Sequence, residues 1–297
     1  MSQKIIAICG ARGAQGGSVM NELLKSDEYK IRALSRRPIL IKNKNVEVVY
    51  ADYDKSETLE KAFENCYGVF LVTNFWEHMD AKKEYQQGIN LVDAAIKSGV
   101  KHIVWSTLED TRDDYEDKIP YIGEYKVAHF DEKGMVQKYL NKSDVNVTNL
   151  YTSFYWENLV GMMKMRKADG VYNLTIPMDN KSLPGVAVED IGKIVSRVFH
   201  DKIYGEIGVA SEHLTGEQMA ATLNNVMTDG EVKYNHVPFE IYRKLGFPGV
   251  EELSNMFEFK VVHNERFCER RNMDNVKKLI TPVSFKEWCE KNKDKLN

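Results

Sequence analysis

Short uninterrupted apolar runs, each followed by a segment with helical spacing, dominate the first half of the chain. The first run, Ile5 to Cys9, contains only small or branched apolar residues, which is typical of a strand buried on both faces of a parallel sheet. Apolar positions then recur with helical spacing from Ser18 to Leu24. The same alternation predicts strands at 30–35, 46–51, 68–73, 102–106 and 145–150 and helices from 56, at 81–98 and at 128–140. It indicates an α/β fold, a doubly wound parallel sheet with helices on both faces.

The second half has shorter and more mixed elements. Aromatic residues cluster from Ser153 to Leu159. Further strands and helices are predicted at 170–176, 188–199 and 205–210. We predict a nucleotide-binding domain over residues 1–153 and a smaller α/β domain over 154–297, with a segment near 187–211 returning to the first domain.

Three glycines separate the first strand from the first helix. Gly10, Gly13 and Gly16 form a G-x-x-G-x-x-G spacing. Such a turn lets the backbone approach a pyrophosphate, while free N–H groups at the helix start point at it. A tight turn without a ligand would have the same spacing. Because a strand precedes the glycines and a helix follows them, we favour nucleotide binding.

Two arginines, Arg36 and Arg37, follow the second predicted strand. An acidic residue here typically binds the ribose 2′-hydroxyl of NAD, whereas an arginine accommodates the 2′-phosphate of NADP. Arg12 in the glycine turn adds a third positive charge, and a guanidinium fork suits a phosphate well. A solvated basic turn is the alternative, but the position after the second strand favours NADP(H) over NAD(H).

Composition narrows the class of protein. The 297 residues include 43% hydrophobic and 29% charged residues, which is ordinary for a globular protein. A net charge of −3 argues against a general nucleic-acid binder. No apolar run approaches eighteen residues, and no signal peptide is recognisable, so we expect a cytoplasmic protein, or a nuclear one, without a membrane segment. Four dispersed cysteines fit reduced thiols, and seven scattered histidines show no metal-binding spacing.

The pattern of an ordinary short-chain dehydrogenase is incomplete. Such enzymes carry Tyr-x-x-x-Lys on the helix after the fifth strand, so that a tuned phenol transfers the proton. Here His129 occupies the position of the tyrosine and Lys133 that of the lysine. Lys133 either holds a nicotinamide ribose or is a solvated helix residue. Ser106, at the end of the fifth strand, is a further weak candidate beside His129 and Lys133.

Several motifs together resemble the NmrA-like family, an atypical branch of the short-chain dehydrogenases, and in particular its NADPH-sensing members. They lie at 10–19, 73–77, 129–134, 155–159 and 244–249. The resemblance implies a Rossmann domain with a smaller C-terminal domain, and NADP(H) bound without efficient turnover. It also implies that occupancy alters association of the chain with itself, as a dimer, or with a regulatory protein partner.

The resemblance also implies a set of nucleotide contacts. They are Gly10, Ala11, Arg12, Gly13, Ala14, Gln15, Arg36, Arg37, Tyr53, Asp54, Thr73, Asn74, Phe75, Lys133, Tyr155, Trp156, Glu157 and Asn158. Two positions depart from the family pattern. Arg12 replaces a threonine, which favours a 2′-phosphate, and Gln86 stands where the sensor members have a lysine, so that one ionic contact is missing.

Two functions remain open at this point. The first is an NADP(H)-binding redox sensor, with a role such as transcriptional regulation. The alternative is an NADPH-dependent oxidoreductase that reduces a small carbonyl, quinone or ene substrate, with His129, Ser106 or water supplying the proton. A scaffold with an empty cleft is a third and weaker hypothesis. The aromatic residues around Tyr155 and Phe257 are either a partner surface or part of the core.

Overall fold

The computed structural model describes residues 3–113 and 115–296. Its strands are β1 (Lys4–Ile8), β2 (Tyr29–Ser35), β3 (Val46–Tyr50), β4 (Gly68–Leu71), β5 (His102–Thr107), β6 (Asn146–Tyr151), β7 (Phe154–Tyr155), β8 (Arg166–Ala168), β9 (Val171–Thr175), β10 (Leu183–Val186), β11 (Gly205–Gly208), β12 (Glu212–Leu214) and β13 (Glu231–Asn235).

The α-helices are α1 (Ala14–Leu23), α2 (Ser56–Phe63), α3 (Ala81–Lys97), α4 (Ala128–Leu140), α5 (Val188–Asp201), α6 (Gly216–Val226), α7 (Phe239–Tyr242), α8 (Val250–Val262), α9 (Asn264–Arg270), α10 (Met273–Lys277), α11 (Phe285–Lys291) and α12 (Lys293–Leu296). Short 3-10 helices lie at Phe75–Glu77, Trp156–Val160 and Arg243–Leu245.

The chain forms two compact units. The first comprises residues 3–110, 129–151 and 189–207. The second comprises residues 111–113, 115–128, 152–188 and 208–296. The first unit is thus assembled from three separate stretches of sequence.

The first unit is built on a seven-stranded sheet with the order β11-β6-β5-β4-β1-β2-β3. Neighbouring strands among β1 to β6 pair in parallel, which confirms the predicted doubly wound, Rossmann-type α/β fold. The strand order reverses between β1 and β4. In open α/β sheets ligands bind outside the carboxyl ends of the strands at this reversal.

Helices cover the sheet of the first unit with apolar faces. Leu59 and Phe63 on α2, Leu91 on α3 and Val136 on α4 share one buried cluster with Trp105 of the sheet. Burial of such side chains is the main source of stability for the sheet and its helices.

Helices α1 and α5 also meet in the first unit. The Gly192 backbone N–H donates to Ser18 Oγ at 3.1 Å, and a Cβ at Gly192 would lie 2.4 Å from the Ser18 carbonyl oxygen. Only a glycine allows this close approach. The helix of the glycine turn is therefore supported by a helix much later in the chain.

The second unit contains two three-stranded sheets, β12-β10-β7 and β13-β9-β8. Its core includes Trp156, whose ring packs on Phe285 and Trp288 at centroid distances of 5.3 and 6.3 Å. Phe257 is 0% exposed. The interpretation of Phe257 as part of a partner surface is therefore wrong, because core packing accounts for it. Across residues 3–113 and 115–296, none of the helices combines the length and apolar character that crossing a bilayer requires.

Candidate functional site

The glycine turn joins β1 to α1 at the point where the strand order reverses. Gly10 has a left-handed φ of +59°, and the Gly13 N–H donates to the Gly10 carbonyl at 2.7 Å. No side chain caps the N-terminus of α1. The first amides of the helix and its positive dipole end are thus available to an anion. Gln15 Oε1 is buried at this turn without a hydrogen-bond partner.

Tyr53, which follows β3, interacts with the same turn. Its hydroxyl interacts with the thiol of Cys9 and with the backbone of Gly10. Burial, with a smaller contribution from Cys9, raises the pKa of Tyr53 well above its ordinary value, so the phenol stays protonated. Asn90 on α3 donates from Nδ2 to the Tyr53 carbonyl at 2.8 Å. The segment after β3 is therefore fixed to the glycine turn and to α3.

Side chains of α3 also hold Asp54. Gln87 Nε2 donates to Asp54 Oδ1 at 2.9 Å, and Lys83 Nζ lies 3.5 Å from Asp54 Oδ2. Gln86, which replaces the lysine of the sensor members, donates to Asn90 Oδ1 at 2.9 Å. Lys83 thus supplies a cation near Asp54 from a position that the sequence analysis did not consider.

Arg36, just beyond β2, forms an ion pair with Glu77. The Arg36 Nη2 atom lies 2.5 Å from Glu77 Oε1, and the two side chains are 51% and 45% exposed. This hydrogen bond is the main reason why the pKa of Arg36 is raised, and Asp52 adds to the effect. Arg12 and Arg37 are both exposed. The predicted phosphate-binding guanidiniums are therefore accessible to solvent, although Arg36 already has an anionic partner.

Lys133 on α4 is buried and fully engaged. Its Nζ atom donates to Thr73 Oγ1 at 2.6 Å, to the Thr73 carbonyl at 3.3 Å and to Glu84 Oε1 at 2.8 Å. An ammonium has three protons to donate, and the residue is only 8% exposed. The interpretation of Lys133 as a solvated helix residue is therefore wrong.

A second carboxyl group, Glu132, lies beside this ion pair. Its Oε1 atom is 3.8 Å from Lys133 Nζ, and neither of its oxygens accepts a hydrogen bond. Burial, reinforced by the charge of Glu84, raises the pKa of Glu132 well above its ordinary value. A buried neutral acid can donate its proton to Glu84, whose Oε2 has no other partner. Its environment thus favours the uncharged form of Glu132.

Glu84 and Lys133 form the charged part of this cluster. Burial alone would raise the pKa of Glu84, but the charge and hydrogen bond of Lys133 outweigh it and lower that pKa. Burial alone would lower the pKa of Lys133, but the charge and hydrogen bond of Glu84 raise it. Both residues therefore remain ionised at neutral pH, and the ammonium is not poised to release a proton.

The other two candidate catalytic residues are also buried. The ring of His129 lies 5.8, 5.1 and 4.8 Å from the rings of Phe75, Trp76 and Phe130. Ser106 is buried within β5. The ring of His129 thus packs among aromatic rings.

The remaining predicted contacts of the first unit differ in exposure. Gly10, Gly13, Ala14 and Asn74 are exposed, whereas Ala11, Thr73 and Phe75 are buried.

Four predicted contacts, Tyr155 to Asn158, belong to the second unit. Trp156 is 1% exposed and lies in its aromatic core. Glu157 accepts hydrogen bonds from Trp288 Nε1 at 3.0 Å and from the Val188 N–H at 3.1 Å. Tyr155 and Asn158 are half-buried. Trp156 and Glu157 therefore have evident structural roles within the second unit.

A family model described as NmrA-like family matches residues 2–289. The chain belongs to the NmrA-like family. An NmrA-like family domain-containing protein of Dictyostelium discoideum is 30% identical over 315 residues, which cover 100% of both chains. The NmrA-like family domain-containing oxidoreductase cpsB of Aspergillus campestris is 26% identical over 99% of this chain and 92% of its own length.

The same fold occurs in a solved structure of NmrA, a negative transcriptional regulator, in complex with NADP. The TM-score is 0.79 at 19% identity, and the alignment covers 99% of this chain and 96% of the other.

Three acidic residues of this NmrA-like chain were missed by the sequence analysis. Glu84 interrupts the buried face of α3, where an isolated charge among apolar positions signals a buried partner. Glu132 directly precedes the expected lysine on α4. Glu77 gave no signal, because nothing local in the sequence links it to Arg36.

Proposed function

We propose that this NmrA-like protein binds NADP(H) and acts as a redox sensor, without efficient turnover of the cofactor. The observation that carries the proposal is the state of Lys133. Its three ammonium protons are taken by Thr73 and Glu84, and the residue four positions earlier is His129 instead of tyrosine. The chain thus has the frame of a dehydrogenase site without its proton donor.

The residues of the first unit fit a phosphorylated dinucleotide. The uncapped start of α1 suits the pyrophosphate, and Gln15 Oε1 is a buried acceptor that lacks a partner. Arg12, Arg36 and Arg37 are exposed, and guanidiniums suit the 2′-phosphate of an NADP(H) ribose. NmrA structures in complex with NADP and with NAD support a dinucleotide in this site. Bound NADPH would supply a hydride, and this chain would hold the cofactor.

The proposed contacts in the first unit follow the sequence-based set. They are Gly10 to Gln15, Arg36, Arg37, Tyr53, Asp54, Thr73, Asn74, Phe75 and Lys133. Tyr155 and Asn158 of the sequence-based set belong to the second unit and are half-buried. We further propose that occupancy of the site changes the association of the chain with itself or with a regulatory protein.

An NADPH-dependent oxidoreductase is the second candidate. The name of the Aspergillus campestris relative favours it. In that case His129, Ser106 or water would supply the proton, and in either case Lys133 would have to release Glu84 or Thr73 to reach a nicotinamide ribose. The buried positions of His129 and Ser106 weigh against this alternative.

Calorimetry with NADPH, NADP⁺, NADH and NAD⁺ tests the sensor. We expect tighter binding of the two phosphorylated cofactors and a difference between NADPH and NADP⁺, because only differential affinity shifts a population. Equal affinity for all four nucleotides would contradict the proposal. Sustained NADPH oxidation with a carbonyl, quinone and ene panel at roughly 1 per second or faster would establish the oxidoreductase instead.

Two arginine variants test the placement of the 2′-phosphate. Arg36→Ala and Arg37→Ala should each weaken NADPH binding by about 1.5–3 kcal/mol, the range for a hydrogen bond to a charged group, with little effect on NADH. Arg197→Ala is the matched control, since Arg197 is similarly exposed and pairs with Asp201 on α5. Equal losses for NADPH and NADH would reject the assignment.

A further inference from the structure

The ion pair between Arg36 and Glu77 joins two segments that are far apart in sequence. Arg36 follows β2, and Glu77 lies in the 3-10 helix after β4. Because β1 lies between β2 and β4 in the sheet, the pair spans the carboxyl end of β1, where the glycine turn begins. The Glu77 carboxylate therefore already pairs with the Arg36 guanidinium at the proposed dinucleotide site.

A 2′-phosphate and a glutamate require the same feature of Arg36. Both anions bind the planar guanidinium fork through charge-assisted hydrogen bonds. A phosphate monoester carries a charge of about −1.5 to −2 near neutral pH, so it cannot share the guanidinium fork with a carboxylate. Asp52 already adds negative charge beside Arg36. NAD(H) has no phosphate here and leaves the pair intact.

We propose that Glu77 sets the cofactor selectivity of this chain by competing with the 2′-phosphate of NADP(H) for the guanidinium of Arg36. The inference rests on the proposed function, because it concerns the same nucleotide site. Glu77 lowers the affinity for NADP(H) and leaves that for NAD(H) unchanged, which moves the threshold of the sensor to higher NADPH concentration.

Displacement of Glu77 from Arg36 would also affect residues that contact helix α4. Glu77 shares its short 3-10 helix with Phe75 and Trp76, whose rings lie 5.8 and 5.1 Å from that of His129. His129 is on α4, the helix that carries Lys133. Release of Glu77 by a phosphate therefore acts on the segment that packs against α4.

Calorimetric titration of Glu77→Gln with NADPH and NADH tests the inference. The substitution removes the charge and nearly preserves the shape. We expect NADPH to bind about two- to fivefold more tightly, which corresponds to the contribution of an exposed ion pair, while NADH binding stays unchanged. Glu60→Gln is the matched control, because Glu60 pairs with Lys97 at 2.7 Å in another part of the unit. This variant should change neither affinity.

The same substitution in an Arg36→Ala protein separates competition for the Arg36 guanidinium from a general effect of the Glu77 charge. In Arg36→Ala the carboxylate has lost its partner, so adding Glu77→Gln should leave NADPH binding unchanged. The inference would be overturned if Glu77→Gln bound NADPH no more tightly than the wild-type protein, or if its affinity for NADH rose by the same factor. In either case, NADPH binding by the wild-type protein would still support the proposed function. If the wild-type chain binds none of the four nucleotides, both proposals fail.

Discussion

Exchanging one glycine at the start of α1 should separate the role of the turn from the stability of the helix. In Gly16→Ala the new Cβ would lie 2.3 Å from the Gly10 carbonyl oxygen and 2.4 Å from that of Cys9. Both atoms belong to the backbone, so no side chain can rotate away, and α1 must move from the turn. Gly17→Ala is the matched variant, since its Cβ would meet the Ala11 carbonyl oxygen at 3.4 Å, an ordinary contact.

The two substitutions should have opposite signs. A forced contact in a packed site costs about 3 kcal/mol at the upper end of the observed range, and the better helix propensity of alanine offsets about 1 kcal/mol. Gly16→Ala should therefore lose about 2 kcal/mol of unfolding free energy. Gly17→Ala has only the propensity gain and should be more stable by about 0.5–1 kcal/mol.

Urea unfolding followed by circular dichroism measures this difference, because the midpoint shifts with stability at constant slope. Calorimetry with NADPH then reports on the turn itself, and we expect binding to be lost in Gly16→Ala and kept in Gly17→Ala. Equal midpoints for the two variants would refute the steric reasoning. Normal NADPH affinity in Gly16→Ala would show that the glycine turn does not hold the pyrophosphate.

Three further predictions concern buried titratable groups. Burial lowers the pKa of His102 from 6.5 to about 4, so the unfolded chain takes up a proton that the folded chain refuses. The free energy of unfolding should therefore fall as the pH drops below 6.5, by about 2 kcal/mol at pH 5. In His102→Gln the urea midpoint should not show this fall between pH 6.5 and pH 5. A midpoint that falls in the variant as it does in the wild-type protein would reject the assignment. Lys133→Met leaves the Glu84 carboxylate buried without its cation and should destabilise the chain by about 3 kcal/mol. Glu132→Gln should cost less than about 1 kcal/mol, because an amide replaces an acid that is already neutral; a urea midpoint as low as that of Lys133→Met would contradict the protonated state of Glu132.

Most of the correctly predicted strands and helices were identified from the local spacing of apolar residues. Apolar runs such as Ile5 to Cys9 identified the strands, because a strand buried on both faces needs a continuous apolar stretch. The first helix begins at Ala14 rather than near Ser18, since the small residues at its start have no apolar periodicity. The helix predicted from residue 56 begins at Ser56, and Leu59 and Phe63 are buried on it.

The electrostatic state of the site could not be predicted in this way. Whether Lys133 is free depends on Glu84, which lies 49 residues away in sequence, and the state of Arg36 depends on Glu77, 41 residues away. Such pairs form through the arrangement of the sheet and leave no local periodicity. Phe257 was equally ambiguous, because an aromatic residue has the same appearance in a core and on a surface.

The support of α1 by α5 has a consequence for biosynthesis. The Ser18 hydroxyl and the Gly192 amide are 174 residues apart in sequence, so α1 obtains this neighbour only after α5 has left the ribosome. A chain truncated near residue 153 would lack both α5 and β11, and β6 would become an open sheet edge prone to aggregation. We therefore expect a nucleotide-binding fragment cut at that point to be insoluble, although it contains the entire glycine turn.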